Sequence, residues 1–251
     1  MARQAFVVYK LVVQAAGGIS REVPLRDFTH DLEAIAKAIS ARTRIVFLAN
    51  PNNPTGTIYR KATWETFLNQ VRPDVLIIVD EAYFEYVEAA DYPNSLDYHQ
   101  QGKTLLTLRT FSKLYGLAGL RIGYGIANED IISLMHRVRQ PFNVNAPAQW
   151  AALAALNDSE HVRRSLDNNR QGLEYLTAEF ARMGIEFIPS HANFILLRVG
   201  KGEDVFNRLL AQGIIVRPMA GYQFPEYLRV TIGTMDENRK FIDGLKKAFG
   251  A

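Results

Sequence analysis

Lys113 stands beside Ser112, and within eight residues of it lie Thr110, Arg121 and a run of small and apolar residues. Two hydroxyls and a guanidinium are ligands for a phosphate dianion. An amine held among them in a partly desolvated pocket loses some of its basicity, which frees its lone pair for carbonyl chemistry. A lone lysine is ordinarily a solvated surface residue; this one is bracketed by phosphate-type donors. Asp80-Glu81-Ala82-Tyr83 follows the apolar run Val75–Val79. A carboxylate at the tip of a buried strand needs a cation or a donor to meet it, and the plainer reading is a helix cap. Asn50-Pro-Asn-Asn-Pro-Thr-Gly56 also follows an apolar run. Its prolines and glycine set a rigid turn with asparagine side chains free to hydrogen-bond, or a plain tight turn.

The elements that must position these segments alternate between short aliphatic strands and amphipathic helices, the pattern of a mainly parallel sheet flanked by helices. Strands are predicted at 21–24, 44–49, 75–80, 104–109 and 121–127, with helices at 31–40, 61–70 and 130–139. Open α/β sheets place ligands beyond the carboxyl ends of their strands, and all three segments fall there. After Pro141 the pattern changes to helices at 146–156 and 160–183, then short strands at 187–189, 193–198, 213–218 and 227–232, and a final helix from Asp236 to Phe249. This reads as a smaller C-terminal α+β domain, with a boundary near Leu166 that gives domains 1–165 and 166–251. The first element, around Phe6–Ala15, is a helix or loop, and no strand precedes it.

The 251 residues include no cysteine, which excludes disulfide frameworks, thiolate nucleophiles and cysteine-based metal sites. Five scattered histidines give no paired metal spacing, so no metal is expected. The net charge of +3 is spread along the chain, and the densest basic stretch, His136–Arg139, suits a helix C-terminus better than nucleic acid. No apolar run reaches the roughly 18 residues of a membrane span, and the N-terminus makes a poor signal peptide. A cytoplasmic enzyme is the expectation. The Walker loop, the Rossmann glycines, the His-Glu-x-x-His helix and the Gly-x-Ser-x-Gly elbow are all absent.

In order and spacing, Asn53-Pro-Thr-Gly56, Asp80-Glu-Ala-Tyr83 and Ser112-Lys113 followed by Arg121 resemble the fold type I pyridoxal-phosphate aminotransferases of class I/II. Asn50–Gly56, Ala118-Gly-Leu-Arg-Ile-Gly-Tyr124, Arg217-Pro218 and Tyr227-Leu-Arg-Val-Thr-Ile-Gly-Thr234 are more specifically similar to the histidinol-phosphate aminotransferases. The resemblance spans essentially the whole chain. It implies pyridoxal 5'-phosphate as cofactor, with Lys113 forming the Schiff base and shuttling the proton. Asp80 would pair with the pyridine nitrogen, and Tyr83 and Asn53 would bond the ring 3' oxygen. Thr110, Ser112 and Arg121 would bind the phosphate. Phe6 falls where the family stacks an aromatic on the ring; a buried core phenylalanine is the competing reading.

For substrates, the resemblance puts Arg229 on the amino-acid carboxylate and Arg217 on a substrate phosphate, with Asn193 in the pocket. The implied reaction is ping-pong transamination of L-histidinol phosphate with 2-oxoglutarate by a homodimer. Alternatives are an aromatic or broad-specificity aminotransferase, a threonine-phosphate-type enzyme of the same fold, or an inactive truncated remnant. The family's opening segment, with its Gly-x-Gly-Ser-type turn at the phosphate and a tyrosine that crosses the dimer, is not found ahead of Phe6. An N-terminally incomplete cofactor domain with weakened cofactor binding is therefore expected.

Overall fold

The computed structural model describes residues 1–250, which form two compact units. The first comprises Met1–Asn53 and Ile58–Ser159; the second comprises Pro54–Thr57 and Glu160 onward. The division after Ser159 falls just before the boundary that the sequence pattern puts near Leu166.

In the first unit, β1 (Ile45–Ala49), β2 (Leu76–Asp80) and β3 (Leu105–Thr110) run parallel, and β4 (Gly123–Ala127) pairs antiparallel with β3. The order is β1-β2-β3-β4. Val46, Leu48, Ile77, Val79 and Leu105 join one core with Trp64, Phe67 and Leu68 of α3 (Lys61–Gln70) and Leu32 and Ile35 of α2 (Leu32–Ala38). Burial of such β-branched and aromatic side chains drives the layer packing. Asp31 caps α2 by accepting from the Ala34 amide at 3.0 Å. The unit also holds α1 (Val8–Ala15), α4 (Glu129–Val138) and α5 (Ala146–Leu156).

The strand predicted at 21–24 reduces to one parallel bridge between Ala2 and Val23, since only the extended piece at Met1–Arg3 lies alongside to exchange backbone bonds with it. The opening segment resolves as helix from Val8.

The second unit is an antiparallel sheet of order β5-β6-β8-β7, made of β5 (Phe187–Ile188), β6 (Phe194–Arg198), β7 (Arg217–Pro218) and β8 (Tyr227–Thr231). Around it stand α6 (Ser159–Arg182), α7 (Gly202–Leu210) and α8 (Met235–Phe249). Ile195 and Leu197 of β6 share a core with Leu176 and Phe180 of α6, Leu209 of α7 and Leu245 of α8. α7 is an element the sequence pattern misses, and the strand predicted at 213–218 shrinks to two residues. Gly213, at φ +73°, turns the chain out of α7, and Ile215 is 81% exposed, so the stretch before Arg217 makes no ladder.

Candidate active site

Because β1, β2 and β3 are parallel, their carboxyl ends emerge on one side of the sheet and carry the three segments singled out by chemistry. The first follows β1. Asn50 is buried; its Oδ1 accepts from the Tyr59 amide at 3.0 Å, and its carbonyl accepts from the Tyr92 hydroxyl at 2.6 Å. Asn52, also buried, donates to the Gln4 carbonyl at 3.1 Å and lies 3.1 Å from His30 Nε2. Two of the three asparagines thus tie the turn to the chain on either side of it, and the half-buried Asn53 lies at its middle.

The second segment follows β2. Asp80 closes the strand with its two carboxylate oxygens separately engaged: Oδ1 accepts from the Ala82 amide at 3.1 Å, and Oδ2 accepts from the Tyr9 hydroxyl at 2.5 Å. Burial pushes the Asp80 carboxyl above its ordinary value, and the Tyr9 hydroxyl, the Ala82 amide and the Lys113 ammonium pull the other way. Tyr83 is buried, and Lys113 Nζ stands 5.2 Å from the centre of its ring.

The third segment follows β3. Phe111 and Leu114 are buried and anchor the backbone on either side of the half-buried Ser112 and Lys113. Thr110 Oγ1 accepts from the Ser112 amide at 3.1 Å. Arg121, in the left-handed region at φ +55°, turns its guanidinium back to the Ala118 carbonyl at 2.6 Å and to Ser112 Oγ at 3.5 Å. One guanidinium and two hydroxyls therefore gather in the same loop, a donor set suited to a phosphate dianion.

Phe6 is 36% exposed and meets Tyr9 edge-on at 5.7 Å, which removes the buried-core reading. Tyr9 is the neighbour that sequence reasoning missed. Its signal was faint: an aromatic three residues beyond Phe6, on the inward side of a short helix.

In the second unit, Arg229 lies mid-strand in β8 and Arg217 is its direct partner on β7, so both side chains rise from the same face of the ladder. The Arg229 guanidinium stands 5.0 Å from the centre of the Phe194 ring. Asn193, half-buried, precedes β6, and its carbonyl accepts from the Ile232 amide at 2.8 Å.

The family model for aminotransferase class I and II matches residues 1–245. The chain is 48% identical over 242 residues to histidinol-phosphate aminotransferase 1 of Nitrosococcus oceani, covering 96% of this chain and 65% of that protein. It is 49% identical to the histidinol-phosphate aminotransferase of Moorella thermoacetica, covering 98% of this chain and 64% of that protein. It thus spans a little under two thirds of the length of these curated relatives. Among solved structures, the histidinol-phosphate aminotransferase of Sinorhizobium meliloti in complex with pyridoxal-5'-phosphate superposes with a TM-score of 0.91 at 25% identity, covering 99% of this chain and 69% of that one. The enzyme of that name from Clostridium acetobutylicum gives a TM-score of 0.92 at 25% identity, covering 99% and 77%. The mainly parallel sheet with flanking helices and the smaller antiparallel sheet are the fold type I architecture expected from the sequence.

Proposed function

The chain belongs to the class I and II aminotransferase family, and from that membership we propose that it binds pyridoxal 5'-phosphate and moves an amino group between L-histidinol phosphate and 2-oxoglutarate. The observation that carries this reading is the convergence, at the ends of adjacent parallel strands, of the Asp80 carboxylate, the Tyr83 ring and the Lys113 ammonium beside the Thr110–Ser112–Arg121 cluster. That set fits the cofactor group by group: an acceptor for a cationic ring nitrogen, a hydroxyl for a phenolic oxygen, an amine for an aldehyde and a cradle for a phosphate. When bound, the cofactor supplies an electron sink for charge developing on the substrate carbon.

The remaining work belongs to the protein. Asp80 keeps the ring nitrogen protonated, Tyr83 and Asn53 hold the ring oxygen, and Thr110, Ser112 and Arg121 orient the phosphate. Phe6, exposed beside Tyr9, would stack on the cofactor ring. Lys113 is the catalytic residue, taking and returning the proton at its Nζ. Arg217 would take the phosphate of L-histidinol phosphate and Arg229 the carboxylate of the amino-acid partner, the guanidinium fork suiting either anion, with Asn193 as a further substrate-binding residue. In this reading the first unit is the cofactor domain and the second the small domain of a cytoplasmic homodimer. The relatives bearing the histidinol-phosphate name support the choice of amino donor.

The test is to incubate the protein with pyridoxal phosphate, reduce with borohydride and map the modified peptide. Label confined to Lys113, and lost in Lys113→Ala, is the expected outcome. Label spread over surface lysines, or none at all, overturns the proposal.

A further inference from the structure

Asp80 is held from an unexpected direction. α1 turns Val8, Leu11 and Val12 outward and buries Tyr9. The Tyr9 ring stacks on Phe47 of β1, with centroids 5.1 Å apart and planes at 14°. Anchored there, its hydroxyl reaches Asp80 Oδ2 at 2.5 Å across 71 residues of sequence. We propose that Tyr9 is a positioning residue for the cofactor: it holds Asp80 ionised and turned so that a free lone pair meets the ring nitrogen. This rests on the function proposed above.

The chemistry is that of a donor to a charged acceptor. An ionised carboxylate offers about four acceptor positions. Two of them are taken, by the Ala82 amide and the Tyr9 hydroxyl, and acceptor capacity is left for a cationic N–H. Donation to the charged form favours it, opposing the burial that favours the neutral acid. Tyr9 stays a donor because burial first, then the charge of Asp80, then their hydrogen bond and the neighbouring Tyr83 and Tyr59, all hold its proton in place. The other charged groups acting on Asp80 are the Lys113 ammonium, which favours ionisation, and Glu81, which opposes it.

Tyr9→Phe keeps the stack and removes the donor. In carbon-labelled apoprotein the Asp80 carboxyl midpoint, followed by NMR, is expected to rise by about one pH unit in Tyr9→Phe. Affinity for pyridoxal phosphate is expected to fall roughly tenfold, with no further loss when Tyr9→Phe is added to Asp80→Asn, because the hydrogen bond then has no charge to hold. An unchanged Asp80 midpoint, or an equal loss of affinity in the Asp80→Asn background, overturns the proposal and leaves Tyr9 a packing residue. Should the native chain take up no cofactor, the proposed function falls, and with it the role toward the ring. The apoprotein titration still decides separately whether Tyr9 keeps Asp80 charged.

Discussion

His30 is buried with its Nε2 3.1 Å from Asn52 Oδ1 and its Nδ1 without a partner, so a second proton would place an unpaired N–H in the interior. Burial lowers its pKa to about 4 from an ordinary 6.5. The unfolded chain therefore binds a proton on this side chain that the folded one refuses. Stability is complete above about pH 6.5 and is lost as the pH falls toward 4, by about 3 kcal/mol in all. Urea unfolding between pH 7 and pH 4 should show that slope, and His30→Gln should flatten it. A slope that survives the substitution assigns the effect to other groups. At this scale the sequence was legible where chemistry dictates residue type: a carboxylate after an apolar strand, and a lysine among hydroxyls. Tyr9 was not, because a buried tyrosine on a short helix looks like any core aromatic until the hydroxyl is seen to reach Asp80.

Elements were readable where a local signal marks their ends. Thr234-Met-Asp-Glu237 opens α8 as a capping box: the Thr234 amide donates to Glu237 Oε2 at 2.7 Å, and the Glu237 amide donates to Thr234 Oγ1 at 3.4 Å. Thr234→Ala should destabilise the protein by about 1 kcal/mol, and Thr234→Ser by much less. Thermal unfolding of the pair measures the difference, and equal losses would remove the cap as the cause. α7 shows the opposite case. It has no side-chain cap at Lys201 and it opens on Gly202, a residue that reads as a breaker. The glycine is there because a Cβ would lie 2.6 Å from the Pro225 carbonyl, a contact between segments distant in sequence. The spacing of Val205 and Leu209, four apart and both buried, was the helical signal that remained.

At the scale of the molecule, the change after Pro141 from alternating strands and helices to long helices followed by short strands was visible in the sequence as a smaller α+β domain, because the order of the elements changes there; the antiparallel pairing of those strands came from the structure. The membership of Pro54–Thr57 in the second unit was not visible in the sequence, since nothing local marks a turn for one unit rather than another. Val138 of α4, Phe142, and Trp150, Leu153 and Leu156 of α5 are all exposed, Phe142 at 98%. Exposed apolar side chains of this kind are what the homodimer proposed above would cover. Sedimentation should give twice the chain mass, and Trp150→Glu should shift the species toward the monomer. A native chain that sediments as a monomer rejects the dimer, and a dimer unmoved by the substitution rejects this face.

The excursion at Pro54–Thr57 has a consequence for exchanging parts between relatives. The His191 amide donates to the Gly56 carbonyl at 2.8 Å, and Gly56, at φ +75°, lies so close to Ser190 that a Cβ would fall 2.1 Å from its hydroxyl. A chimera built by grafting residues 160–250 from a homologue would import a new surface around position 190 while keeping the host's tetrapeptide. Recombination between relatives is therefore cleanest when the tetrapeptide travels with the C-terminal block, as a two-piece inheritance rather than a single cut.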